Sequence, residues 1–598
     1  MMKTLYSFCF ALASSLALNS CAQPAAELCQ LPVTPISSIQ GEGEQSPKLG
    51  QTVLTQGVLT AYIYPDTPRA GWLLQQSGPV ALQTASQALF LPDDGRLTQL
   101  QLGQLLAIQG RVAEIEQLTS LIDVELQSCG QSQAKPLRIQ LPLPEQLSWE
   151  ALEGMWLRFE QPLVVNSTFG LGRFGELTLA DKRLWTPTQI HLPGDAAKAH
   201  EALQERRMLV LDDGSLEQNP EPLPYPPSGL SAEHSLRLGD TFSGVEGVLI
   251  QDLRGYRLVP TRQPDWQPQN PRPSPPAPRQ NGELRVASFN VLNFFTGADQ
   301  DPPFPTRRGA SSQLELERQQ AKLTAAILAM DADIVGLIEL ENNGYADGSA
   351  IATLLTALNA ATDRPYAMVK TAEQPGSDVI KVGLIYRPDA VQQAGTAATQ
   401  PQPPFHQLHR APVAQSFLDL SSQKMLTVSV NHFKSKGGCP RRDHPQFAQM
   451  RDQGDGQACW NAARLEAAEA LHHWLEQQPT GITTPYQLLM GDLNAYRMED
   501  PIRLLEHLGW QYLDANTEGP SYSFVFRGKS GSLDHALASP AFAALEPQIQ
   551  HWAINADEPV LLQYSLEYKS LTQQQKLYAP SPYRSSDHDP IILTFRMN

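Results

Sequence analysis

Six short stretches of the sequence put polar, ionisable residues where an apolar run stops. Asn290 interrupts "ELRVASFNVLNFF", Glu339 closes "DIVGLIE", and His432 follows "VSVN". Asp492 and Asn494 stand in "GDLN", Asp534 and His535 in "SLDH", and Asp587 and His588 in "YRSSDHDPIIL". A carboxylate at the end of a buried strand is costly unless something compensates it, so several such ends in one chain point to a shared site. Hard oxygen donors from Glu and Asp, with Asn and without Cys, suit Mg²⁺ or Mn²⁺ and not a closed zinc site. Histidines beside carboxylates suit proton handling near neutral pH and a cationic clamp on phosphate. There is no glycine-rich phosphate loop with lysine, no GxSxG elbow and no HExxH pair, so nucleoside-triphosphate, serine-hydrolase and metalloprotease chemistry lose support. Metal-assisted hydrolysis of a phosphate ester remains.

The elements that must position these groups follow from the pattern around them. "ELRVASFNVLNFF", "DVIKVGLIY", "KMLTVSVNHF", "YQLLMGDLNA", "SLDHALAS" and "PIILTF" read as strands. "LERQQAKLTAAILAM" has Leu323, Ile327 and Leu328 at helical spacing, and "ARLEAAEALHHWL" and "PIRLLEHL" are helical too. Strands with a few interleaved helices over residues 282–598 predict an α+β domain of two packed sheets with helices outside, a four-layer α/β-β/α sandwich.

Upstream, eight of the nineteen residues from Pro260 to Pro278 are proline, which reads as a semi-rigid linker over 264–281. Before it the pattern is short β-type runs with almost no helical periodicity. "LGQTVLTQGVL", "LGQLLAIQGRV" and, more loosely, "LGDTFSGVEGVL" repeat a glycine turn followed by a strand with a second glycine, as strongly bent strands of small barrels require. Residues 28–150 read as an all-β, OB-like barrel and 151–263 as a second β-rich region. Trp72, Trp156 and Phe174 are either core aromatics or stacking faces for bases.

Length and composition bound the rest. A chain of 598 residues divides into several domains, and 18% charged with 41% hydrophobic residues describes a globular protein. The first 22 residues, with Lys3 and an apolar stretch from Leu5 to Leu18, read as an export signal. It is either cleaved near Ser20-Cys21-Ala22, or "LNSC" is a lipobox that leaves Cys21 lipidated and the protein anchored in the outer membrane. Export to the periplasm or the medium is expected, with no transmembrane segment in the mature chain, and as a monomer. Beyond the signal four cysteines remain, an even number for an oxidising compartment. Cys439 pairs with Cys459 to close a short polar loop and Cys29 with Cys129 by default, the alternative being four free thiols. The net charge of −17 argues only weakly against a polyanionic partner, because a carboxylate site reverses its sign when it holds a cation. Basic clusters at Lys434 and Lys436, Arg441 and Arg442, and Arg307 and Arg308 can draw a phosphate backbone.

The ordered set "SFNVLNFF", "DIVGLIELEN", "VGLIYRP", "VNHFKSKGG", "GDLNA", "SLDHALAS" and "SSDHDPI" resembles the endonuclease/exonuclease/phosphatase superfamily, the deoxyribonuclease I-like fold. "ENNGY", "DQGDGQACWNAAR" and "INADEPVLLQYS" are similar to secreted bacterial endonucleases of the ExeM/NucH type. The resemblance implies Glu339, Asn290 and Asp587 about a Mg²⁺ or Mn²⁺ ion. It implies His588 oriented by Asp534, Asp492 on the attacking water, Asn494 at the transition state and His432 on the phosphate or leaving group. Whether Asp492 or His588 takes the proton of the water stays open. Lys434, Lys436, Tyr386 and Arg464 are further candidates for substrate contact. In place of the usual glutamine before the metal glutamate stands Ile338, and "GDFN" has become "GDLN". Glu341 is an extra acid that can reach a second metal, Asp589 reads as structural, and "QGDGQ" around Asp455 either holds an accessory Ca²⁺ or is a polar loop closed by a disulfide. The implied activity is Mg²⁺-dependent endonucleolytic hydrolysis of DNA, or RNA. Competing readings are the same chemistry on phospholipid headgroups or nucleotides, and a non-catalytic polyanion-binding surface protein.

Overall fold

The computed structural model describes residues 27–93, 95–97, 99–372, 375–516 and 519–597. The expected export segment and Cys21 lie outside them. Among the described residues no helix is long and apolar enough to cross a membrane.

Five strands, Thr52–Ile63, Gly71–Gln75, Ala88–Pro92, Gln104–Ile115 and Leu118–Gln131, close into a barrel in which the fifth lies between the third and the fourth. The first strand bends hard enough to pair with both the second and the fourth. The glycine of the repeated phrase permits this: a Cβ at Gly57 would stand 2.7 Å from Leu74 Cγ and 2.8 Å from the Gln75 carbonyl. Val53, Leu59, Leu74, Leu91, Leu106 and Ile108 fill the interior. Trp72 joins them, donating its indole N–H to the Leu97 carbonyl at 3.2 Å, so it is a core residue and no base-stacking face. Phe174 lies under the Arg254 guanidinium. The Cys29–Cys129 disulfide ties the amino-terminal turn to the long fifth strand.

A nine-stranded sheet follows, running from Asp265–Gln267 at one edge to Leu137–Ile139 at the other. Its core of Leu157, Leu163, Leu177, Phe242, Leu249 and Leu258 takes in Leu562 and Leu577 from the far end of the chain. This region also carries the helix Asp195–Glu205, which the sequence reading did not anticipate. Its sequence, DAAKAHEALQE, is alanine-rich, and only Ala197 and Gln204 are buried, so no apolar stripe announces it.

The proline-rich stretch differs from a free spacer. Its first residues form the edge strand Asp265–Gln267, and the rest is strapped to the carboxy-terminal half. Asn270 Nδ2 donates to Asp557 Oδ2 at 2.7 Å, Arg272 grips the buried Glu558 through Nη2 at 2.7 Å and Nε at 3.0 Å, and Arg279 pairs with Asp331 at 3.1 Å. Proline removes backbone donors, and the interspersed polar side chains anchor the stretch instead.

Two six-stranded mixed sheets build the carboxy-terminal half. In one, Leu284–Phe294 lies parallel to Ile334–Glu341 on one side and antiparallel to the last strand, Ile591–Phe595, on the other. In the second, Met425–His432 lies parallel to Gln487–Asp492, which pairs antiparallel with Asp534–Ala538. Val286, Ile338, Leu384, Val430, Met490 and Leu593 belong to the core between the two sheets. The helices Gln313–Met330 and Ala350–Ala360 cover the outer face of the first sheet with Leu323, Ile327, Ile351 and Leu354, and Asn461–Glu476 and Asp500–His507 cover the second with Ala467, Leu471, Ile502 and Leu505.

Candidate active site

Strand register brings the first three groups together. His432 stands opposite Asp492, and Asp492 opposite Asp534, on three neighbouring strands. Close approach there depends on Gly491, whose φ is +140° and whose Cβ would fall 2.1 Å from the Asn431 carbonyl. On the other sheet a register shift lies between Leu337 and Leu340, and Glu339 takes a positive φ of 68° within it. Such a bulge re-aims a side chain, and a non-glycine residue in that conformation is held by its surroundings. A second shift follows Asn290 on the adjacent strand.

The loop bearing Asp587 and His588 is held by Asn555 and Asp589. Asn555 Oδ1 accepts the backbone N–H of Ser585 at 2.8 Å and of Ser586 at 3.2 Å, and its Nδ2 donates to the His588 carbonyl at 2.7 Å. Asp589 Oδ1 accepts from the N–H of Asn555 at 2.6 Å and Ala556 at 3.1 Å, so its role is structural. Ser586 Oγ donates to the Asn290 carbonyl at 2.6 Å and stitches the loop to the strand Leu284–Phe294.

These elements make one polar cluster. His588 Nδ1 is 2.6 Å from Asp534 Oδ2, which also accepts from Ser523 Oγ at 2.6 Å. The other face of the site is Asp492: its Oδ2 lies 4.0 Å from His588 Nε2, 3.5 Å from His432 Nε2 and 3.4 Å from Asn290 Nδ2, and its Oδ1 accepts the Asn494 N–H at 3.0 Å. The Phe524 ring stacks on the His588 imidazole with centroids 4.7 Å apart. Burial opposes a charge on His588, but Asp534, Asp587 and Asp492 hold its pKa well above the ordinary value. Burial would raise Asp534, yet the His588 charge and hydrogen bond hold it below the usual range. Burial raises Asp492, and the charges of Asp534 and Glu339 add to that. His432 is driven the other way by burial and the nearby Arg410, so it is neutral, and its Nδ1 has no hydrogen-bond partner.

Glu339 lines the cleft, and it and Asp587 are both half-buried. Burial and the Asp587 charge push the Glu339 carboxyl up. Two carboxylates set against each other beside the Asn290 amide fit a hard divalent cation, which takes one or two carboxylates and completes its shell with water and phosphate oxygens. Among the described residues the one group of three ligating side chains within 4.8 Å of each other is His472, His473 and Glu476, on the surface of a helix. Glu341 Oε2 is taken up by the N–H groups of Thr296 at 2.8 Å and Gly297 at 3.0 Å and by Asn343 Nδ2 at 2.8 Å, while its Oε1 is buried without a hydrogen-bond partner. His535 is a packing residue between the Tyr512 hydroxyl and the Ala495 carbonyl. Asp455 binds its own loop through Gln457.

Of the substrate-contact candidates, Lys436 lines the cleft but is ion-paired with the buried Glu499. The Lys434 ammonium is occupied by the Ser435 and Gly437 carbonyls at 3.1 and 3.0 Å. Two expectations are corrected. Arg464 is 0% exposed and donates to the carbonyls of Lys434, Cys459 and Gln457, so it braces the disulfide loop from inside. Tyr386 pairs with Ile334 at the start of the strand whose other end carries Glu339, and its hydroxyl accepts from Gln393, so it stands at the opposite end of the sheet. Both expected disulfides form, Cys439–Cys459 closing the polar loop beside Arg464. Arg410 was missed: it lines the cleft beside His432, its register partner. Its strand runs antiparallel to that of His432, which brings Arg410 to the same end of the sheet.

Residues 287–588, half of the chain, match the Endonuclease/Exonuclease/phosphatase family, and the chain belongs to that family. Membership gives it phosphoesterase and nuclease chemistry at the level of the family, whose members are typically metal-dependent. Residues 148–270 match a domain of unknown function (DUF8508). No curated protein matches the chain. Similar solved structures include the catalytic domain of human Nocturnin with bound sulfate (16% identity, 53% of this chain and 95% of that one, TM-score 0.33). Others are D. rerio TDP2 complexed with single strand DNA product (13%, 53% and 100%, 0.32) and a mannosyl-6-phosphatase of Bacteroides thetaiotaomicron (14%, 52% and 98%, 0.30). Likeness at this level says nothing of this chain's substrate.

Proposed function

We propose that this chain is an exported, Mg²⁺- or Mn²⁺-dependent endonuclease that hydrolyses phosphodiester bonds of DNA, and of RNA, in the manner of the ExeM/NucH type. The observation that carries the reading is the run Asp534, His588, Asp492, His432, of which the last three line one cleft together with Glu339. Asp492, fixed by the Asn494 N–H and the Asn290 amide, takes the proton of the attacking water. His588, held as an imidazolium by Asp534, faces the phosphoryl oxygens and returns a proton to the leaving oxygen as the P–O bond breaks. His432 and Asn494 flank the phosphate. Glu339 and Asp587, with Asn290 beside them, would hold a divalent cation, which when bound would supply Lewis-acid polarisation of a phosphoryl oxygen. We read the catalytic half as a four-layer α/β-β/α sandwich and the amino-terminal barrel as of the oligonucleotide-binding type, a monomeric arrangement with the disulfides of an oxidising compartment.

The test is incubation of the purified protein with circular single-stranded DNA, plasmid DNA and RNA, and separately with sphingomyelin and mononucleotides, in Mg²⁺, Mn²⁺ or chelator. Breaks in at least the single-stranded DNA that need the metal are expected. Release of phosphocholine or inorganic phosphate with every nucleic acid intact would move the reading to another phosphoester.

A further inference from the structure

The catalytic cleft, about 830 Å³ in volume, has two unlike sides. Glu339, Asp492 and His588 line one. The other is built by the second β-rich region: Ala197, Lys198, Glu201 and Glu205 from the helix Asp195–Glu205, with Thr186 and Pro187 before it. Phe526, Arg527 and Lys529 of a small hairpin complete the lining. From this we infer that the nucleic acid enters the cleft as a single strand, with an unpaired base beside the scissile phosphate lying on the Phe526 ring. This rests on the nucleic-acid reading above and specifies the form of the substrate.

Two independent features support it. The first is space and charge. A cleft of this size is that of a pocket for a small ligand, whereas a duplex carries two phosphate backbones on either side of a groove about 12 Å wide. A duplex seated on the catalytic groups would bring its second backbone against the wall that carries Glu205 and the Glu201–Lys529 ion pair. The second feature is an aromatic platform. Phe524 and Phe526 are two apart in one strand and so share a face. Phe524 is stacked on His588, while Phe526 is 55% exposed at the cleft, with the Arg527 guanidinium 5.3 Å from its centroid. An exposed ring flanked by a guanidinium is a stacking platform for an unpaired base.

The wall is fixed. The Thr186 N–H donates to the Ser530 carbonyl at 2.8 Å and the Ser530 N–H to the Leu184 carbonyl at 2.9 Å. Lys529 is ion-paired with Glu201. Gln189 reaches the Ser521 carbonyl at 3.0 Å and accepts the Ser532 N–H at 3.1 Å. Hairpin and helix are one unit, so a duplex cannot displace the wall by swinging the hairpin aside.

Two measurements test the inference on the full chain. Binding of a labelled 20-mer, single-stranded or annealed to its complement, is followed by fluorescence anisotropy in chelator, which needs no turnover. Initial rates on the same two substrates and on bis(p-nitrophenyl) phosphate are measured with Mg²⁺. Single strand should bind and be cut at least ten-fold better than duplex, and Phe526→Ala should weaken single-strand binding roughly 5- to 100-fold while Phe526→Trp restores it. Equal binding of duplex and single strand, or no effect of Phe526→Ala, overturns the inference while turnover of the small diester keeps the phosphodiesterase reading standing. Absence of turnover on every diester, with the single-strand preference in binding intact, would instead remove the catalytic reading alone.

Discussion

Nδ1 of His588 lies 2.6 Å from Oδ2 of Asp534, although the two residues are 54 positions apart in the chain. Asp534 opens a strand in the middle of the second sheet, and His588 arrives on the loop that leads into the last strand of the first. The pair therefore bridges the two sheets, and it forms only when both have folded.

Their contact predicts that the two residues act as a unit. Asp534→Asn and His588→Ala should each lower turnover of a small phosphodiester by roughly 10²- to 10⁴-fold, the range for losing a proton-transfer group. The double variant should be no worse than the more damaged single one, because groups that act together are not additive. Losses that multiply in the double variant would mean that the pair is not the catalytic unit.

Much of this site was legible in the sequence because burying a carboxylate at a strand end is expensive, and Glu339, Asp492 and Asp587 have no other reason to stand where apolar runs stop. What sequence conceals is which neighbour completes each group. Arg464 and Lys436 look like free cations, yet one is enclosed by carbonyls and the other is matched to Glu499. Arg410 shares the cleft because its strand is antiparallel, a pairing no local pattern encodes. The wall helix Asp195–Glu205 buries too little apolar surface to show periodicity, so the closure of the cleft by the preceding region was invisible.

Metal binding should be visible without catalysis. A ligand held only by the folded chain raises its stability by RT ln(1 + [L]/Kd), about 2.7 kcal/mol at one hundred times Kd. Thermal unfolding of the native protein should therefore move up as Mg²⁺ or Mn²⁺ is added and return with chelator. In Glu339→Gln the rise should be lost. A rise of the same size in Glu339→Gln would place the ion elsewhere.

Arg464 and Tyr386 separate structure from substrate contact. Arg464→Ala takes the side-chain donor from the Lys434 and Cys459 carbonyls and one of two from that of Gln457, and should cost about 2–4 kcal/mol of stability, read from a urea midpoint. Tyr386→Ala, at the far end of the sheet, should leave kcat/KM on DNA within about two-fold, the scale of a substitution that touches no part of the site. A ten-fold loss with Tyr386→Ala would mean that the substrate path extends along the sheet.

The last prediction concerns pH and the seam between the barrel and the second β-rich region. Glu153 is 2% exposed, with its Oε1 accepting the Thr119 N–H at 2.9 Å and Gln40 Nε2 at 3.1 Å. Burial, opposed by those two donors and reinforced by Glu150 and Glu114, pushes its pKa up to about 8. A carboxyl that titrates higher in the folded chain than in the unfolded one binds more protons when folded, so its burial costs nothing below the ordinary value of about 4.3. The cost grows as pH rises from there to about 8 and is constant beyond. Glu153→Gln keeps an acceptor for both donors and carries no charge at any pH. It should come within about 1 kcal/mol of the native protein at pH 4.5 and exceed it at pH 8.5 by on the order of 5 kcal/mol, measured by urea unfolding at the two values. An advantage of the same size at both pH values would show that Glu153 is not the group that titrates at this seam.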